Sequence, residues 1–178
     1  MYPPYPVDAT PSVGPTEADD ELPDEFDARD GFPGCVRGVR DQGRCGAYAA
    51  MAAADILSDR ICIASHGKSK LQLAPQYLLS CDKSQLGCRG GWPERTWDFT
   101  TKTDIPTEKC VPYVSGAAGA VPPCPLRCKD QSGLVLYKSK GLRRLRGVAQ
   151  MQNEIYRKGP IEATFTLFQV RCCCGCHE

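Results

Sequence analysis

Residues 41–51 read DQGRCGAYAAM, a stretch built like the approach to a nucleophile at a helix start. Beyond it the chain continues to Ile63 as AYAAMAAADILSDRICI, where good helix formers place Ala50, Ala54, Leu57 and Ile61 on one face. The spacing predicts a buried helix from Ala47 to Ile63, the longest of the chain. Thiol chemistry at such a place needs a thiolate, which a helix N-terminus and an imidazolium both favour, and donors aimed at a developing oxyanion. Gln42 offers a carboxamide donor, Gly43 and Gly46 let the backbone pass close to a ligand, and Cys45 can anchor the loop. Where the nucleophile belongs stands Tyr48. A phenol, titrating near about 10, is a poor nucleophile toward amides at neutral pH.

The rest of the chain bounds what carries this segment. Its 178 residues hold 22 Lys+Arg against 21 Asp+Glu, a net charge of +1, so no global field marks a nucleic-acid or membrane-surface binder. The segment GLRRLRG carries arginines without interleaved aromatics, and no nucleic-acid partner is expected. No apolar run reaches the roughly 18 residues of a membrane span. Twelve cysteines, mostly scattered singly among turns and apolar runs, favour disulfides over zinc. Disulfides imply an oxidising compartment, yet the opening MYPPYPVDATPSVGPTEADDE shows neither a basic nor an apolar signal region. That mismatch gives the expectation of an incomplete chain.

Residues 1–21, rich in Pro and acidic side chains, read as a flexible leader. Folded structure is expected from LPDEFDARD onward. APQYLLSC and PERTWDFTTK predict short helices, each opened by a proline at its first turn. From Asp104 to Lys140 the prolines and Cys110, Cys124 and Cys128 predict an irregular, disulfide-tied region. GVAQMQNEIYRKGP puts Val148, Met151 and Ile155 on a helical stripe ending at Gly159-Pro160, and IEATFTLFQV alternates like a strand over about residues 162–168.

In this order, LPDEFDARD, DQGRCGA, SDRICI, GCRGGWP and KGPIEATF resemble the papain-like cysteine peptidases, and within them cathepsin B, over most of residues 22–169. The family signature around the catalytic cysteine, C-G-[SA]-C-[WY], is matched by Cys45, Gly46 and Ala47, with Tyr48 in the nucleophile's slot. The resemblance implies an α+β papain-like fold, mainly the helical left domain with only the first strand of the β-rich right domain, and rich in disulfides. The expected divisions are the leader, a left domain over 22–146, the start of the right domain over 147–169, and a non-homologous Cys-rich tail over 170–178.

The resemblance also assigns roles. Gln42 takes the oxyanion-hole position, and Gly90 and Gly91 resemble the backbone strip that pairs with an extended substrate. Trp92, where an aromatic is common, is expected to pack. The family places its catalytic His and Asn about 130 to 150 residues after the nucleophile. His66 falls in a loop, His177 lies in the unrelated context CGCHE, and the catalytic pair is expected to be absent. With Cys172, Cys173, Cys174 and Cys176 set aside, eight cysteines remain, which sequence alone pairs in about a hundred ways. The resemblance selects Cys35–Cys62, Cys45–Cys88, Cys81–Cys124 and Cys110–Cys128.

The tail cysteines beside His177 are thiolate and imidazole donors suited to a soft metal. Consecutive cysteines point to opposite faces of an extended chain, however, so neither a metal nor any other cofactor is expected. The family implies a lysosomal, vacuolar or secreted setting, and without a visible signal the compartment stays open. The expected function is a catalytically inactive cathepsin-B-like homologue that retains a peptide or protein segment in a remnant cleft and self-associates through uncovered apolar surface. Two alternatives stand beside it: an endopeptidase using Cys45 or a half supplied in trans, and a partner-binding pseudoenzyme.

Overall fold

The computed structural model describes residues 22–139 and 142–165. Its axis is helix α2, Tyr48–Ala64, preceded by a single turn α1 at Ala28–Gly31. Helices α3 (Pro75–Cys81) and α4 (Pro93–Lys102) pack on α2, and each opens on its proline, whose missing N–H costs nothing in a first turn. Alanines make the close approach possible: Ala49, Ala50, Ala53 and Ala54 are all buried, with Met51, Ile56 and Cys62. The helix stops after Ser65 through left-handed His66 and Gly67, whose Gly67 N–H returns to the Cys62 carbonyl at 2.9 Å.

The face predicted for α2 is only half covered. Ala50 and Ala54 are buried, whereas Leu57 and Ile61 are partly exposed, because with Trp97 and Met151 they line a cavity of about 870 Å³ between α2, α4 and the segment that follows residue 137.

Polar side chains inside the helical layer are tied. Ser58 Oγ donates to the Ala54 carbonyl at 2.6 Å and accepts the Leu73 N–H at 2.8 Å. Buried Gln76 donates to Ser80 and Ser115, and accepts from the backbone of Val114 and Ser115. It thereby fixes α3 against the short helix α5, Ser115–Ala118. Arg40 bridges Asp55 on α2 at 2.9 Å and Glu108 at 2.6 Å. Four disulfides close this body: Cys35–Cys62, Cys45–Cys88, Cys81–Cys124 and Cys110–Cys128. They are the pairs that the resemblance implies.

Among the described residues the sheet is two-stranded, β1 (Ile105–Pro106) antiparallel to β2 (Leu136–Tyr137), with Ile105 opposite Tyr137. Both strands come from the region read as irregular. The strand expected over 162–168 does not form in its described part: residues 161–165 make no ladder, and Phe165 is 81% exposed. Alternation supplies a face, but a strand also needs a neighbouring edge, and no described strand lies beside this one. Residues 166–168, the leader 1–21 and the tail 170–178 lie outside the described residues.

Helix α6, Val148–Lys158, ends at Gly159 with φ 99°. An L side chain is strained at that φ, and a Cβ on Gly159 would also force the tip of the Ile63 side chain of α2 to shift. Of the expected apolar stripe, Met151 and Ile155 are partly buried and Val148 is 71% exposed. The residue turned inward is Glu154, 7% exposed. Its carboxylate meets Arg60 of α2 at 2.7 Å and Arg143 at 3.3 Å. Arg60 also donates to the carbonyls of Pro160 at 2.8 Å and Gly159 at 3.1 Å. On α6, Tyr156 meets Phe26 edge to face at 5.1 Å, and Phe26 meets Phe32 at 5.9 Å.

Candidate functional site

The start of α2 faces the loop 87–91. The Gly46 N–H donates to the Cys88 carbonyl at 2.8 Å, and the Cys45–Cys88 disulfide locks the two segments side by side. Tyr48, the first residue of α2, is 50% exposed and lays its ring along that loop. Its hydroxyl donates to the Gly91 carbonyl at 2.8 Å and accepts the Gly91 N–H at 3.1 Å. Gly90, at φ 95°, makes the approach possible: a Cβ there would stand 2.9 Å from the tyrosine oxygen and 3.3 Å from Cε1.

Three of the residues singled out in the sequence, Tyr48, Gly90 and Gly91, therefore meet in one place. Gln42 shares no hydrogen bond with them. Its carbonyl accepts the Tyr113 hydroxyl at 2.8 Å, and the neighbouring Arg44 N–H bonds the Gly116 carbonyl at 2.9 Å. Its side-chain Oε1 is buried with no hydrogen-bond partner, an orphan acceptor of a kind rare in folded proteins. Cys45, the thiol nearest the helix start, is consumed by its disulfide. His66 lies past the far end of the 17-residue helix, about 25 Å from Tyr48 at 1.5 Å per residue. His177 lies outside the described residues.

Gln85, which the sequence reading passed over, braces the same loop. It accepts the Trp92 N–H at 2.8 Å and donates to the Trp92 carbonyl and to Thr96 Oγ1, each at 3.0 Å. The Trp92 indole is stacked by Arg95 at 4.0 Å. A lone glutamine in a loop carries no spacing signal, so only the folded loop reveals it.

On the cavity wall, Trp97 Nε1–H donates to Glu162 at 2.5 Å. Burial pushes the Glu162 carboxyl up to about 7, a rise that the Trp97 hydrogen bond opposes and nearby Glu94 adds to. Burial likewise pushes Asp59 up to about 6, against the pull of Arg37 at 3.2 Å. Among the described residues no group of three or more His, Cys, Asp or Glu side chains is placed to hold a metal ion, and no helix is long and apolar enough to cross a membrane.

The sequence of residues 22–172 matches the family model described as papain family cysteine protease. Among curated relatives, the chain is 38% identical over 150 residues to cathepsin B-like CP3 of Giardia intestinalis, covering 83% of this chain and 50% of that protein. It is 32% identical over 190 residues to cathepsin B-like cysteine proteinase 5 of Caenorhabditis elegans, covering 86% of this chain and 55% of that protein. The chain thus spans about half the length of these relatives. Among solved structures, procathepsin B S9 from Trypanosoma congolense superposes with a TM-score of 0.71 at 30% identity, covering 83% of this chain and 54% of that one. With ordered motifs, the helical architecture and these matches in agreement, the chain belongs to the papain family of cysteine proteases.

Proposed function

We propose that this chain is a catalytically silent cathepsin-B-like member of its family, and that the surface between the start of α2 and the loop 87–91 serves for binding. One observation carries the reading: the residue at the head of α2 is a tyrosine whose hydroxyl is engaged with Gly91. Peptide cleavage by this family's chemistry needs a thiolate there, and a phenol does not attack an amide at a useful rate. The rival, a peptidase that uses Cys45, asks for a free thiol at a sulfur that is bonded to Cys88.

The test is incubation of the oxidised protein at acid pH with a peptidyl epoxide probe, alongside a dipeptidyl fluorogenic substrate. No labelling and no turnover are expected. Stoichiometric labelling that a reversible peptide aldehyde protects would overturn the proposal.

A further inference from the structure

We propose that Tyr48 is a built-in occupant of the Gly91 backbone edge, and that an extended peptide binds this edge only when the ring has swung away. The proposal rests on the reading above of this surface as a binding surface, and adds how access to it is controlled. In extended backbone, the N–H and C=O of one residue point to the same side, and the next residue's pair points to the other. The loop follows this rule. Gln85 takes both groups of Trp92, and the hydroxyl of Tyr48 takes both groups of Gly91. A hydroxyl offers one donor and two acceptor sites, so a single oxygen does what a paired β residue does with two backbone groups.

A peptide residue paired with Gly91 would donate to the same carbonyl and accept from the same N–H. Tyr48 and such a peptide therefore exclude each other. The occupant is held by construction: the Cys45–Cys88 disulfide and the Gly46-to-Cys88 hydrogen bond fix the helix start on the loop, and Gly90 leaves room for the ring. It is also releasable, because half of the tyrosine faces solvent and its departure opens no hole in the core. Apparent peptide affinity is then the intrinsic affinity scaled by the fraction of molecules with the ring out.

The experiment compares wild type, Tyr48→Phe and Tyr48→Ala of the full chain, with fluorescein-labelled Leu-Val-Gly-amide as the probe for anisotropy titration. In parallel, hydrogen exchange of the Gly91 amide is read by NMR. Loss of the hydroxyl alone in Tyr48→Phe is expected to speed Gly91 exchange. Affinity is expected to rise from wild type through Tyr48→Phe to Tyr48→Ala, the last by about tenfold or more, as expected from losing two competing hydrogen bonds. Unchanged Gly91 exchange in Tyr48→Phe, or variants that bind the peptide no more tightly than wild type, would overturn the proposal. Turnover of a fluorogenic substrate by wild type instead strikes the catalytic reading, so the two failures are told apart.

Discussion

The body from Cys35 to Ser139 and the segment 142–165 are held to themselves and to each other by different physics. In the body, four disulfides enclose an interior in which Leu73, Leu78 and Ile105 are almost fully buried. The later segment has no disulfide among its described residues. It is seated by Glu154, Arg60 and Arg143, by the Tyr156–Phe26 contact, and by the carbonyls that Arg60 grips at the end of α6. Between the two lies the open cavity with Leu57, Ile61 and Trp97 on its wall. Covalent closure acts mainly on the unfolded chain and is blind to surface left wet, whereas a buried carboxylate holds an element only while its partners stay in place. The body should therefore behave as one cooperative unit and the α6 segment as a less protected one.

The largest effect should come from breaking the body. The disulfides close loops with sequence separations of 27, 43, 43 and 18, each worth about 3 kcal/mol or more in the chain-entropy model. Full reduction removes an amount comparable to the whole net stability of a domain, roughly 5–15 kcal/mol. Thermal melts followed by circular dichroism should lose their cooperative transition under reductant. A reduced protein that melts cooperatively within a few degrees of the oxidised one would show that the core alone suffices.

Next in size is Arg60→Ala, which takes from Glu154 its closest cation and from α6 the grip on Gly159 and Pro160. Leaving a buried carboxylate short of its partner costs about 3 kcal/mol. Native-state hydrogen exchange should show the loss confined to amides of 148–159, with those of α2 and α3 unchanged. A uniform loss across both regions would mean that they unfold as one.

Smaller still is the response to pH, to which each region contributes one acid with a raised pKa. Glu162 is raised from 4.5 to about 7 and Asp59 from 3.8 to about 6, both chiefly by burial. In these windows the folded state keeps a proton that the unfolded state has released, so stability is full below the unfolded values and falls as pH rises through the folded ones. Stability should therefore increase by about 1–2 kcal/mol between pH 7.5 and 5, after allowance for solvent screening. Glu162→Gln should remove the part of the slope near pH 7 and leave the part due to Asp59, as read from urea midpoints across pH. A midpoint that falls on acidification in this range would refute both assignments.

The helices of the body were legible because each carries its own local signal: alanines and leucine along α2, and a proline at the first turn of α3 and α4. The disulfide partners were legible only through family resemblance, since spacing leaves the pairings open. In the α6 segment local signals located the helix and its glycine stop but not what seats it. Val148 fits a helical stripe yet is exposed, and the alternation after Pro160 found no edge to pair with in residues 161–165. Nothing local distinguishes Glu154 from a surface glutamate, and its burial becomes visible only with Arg60, which is 94 residues away.

The sequence by itself determined the family, the course of the long helix and the arrival of a tyrosine at its head, because motif order, helix propensity and residue identity are properties of the chain read locally. Only the tertiary structure decided what that tyrosine does. Its hydroxyl pairs with Gly91, which is 43 residues away in the chain, and such a contact exists only once a disulfide, a backbone hydrogen bond and a glycine without a side chain have brought the loop against the helix start.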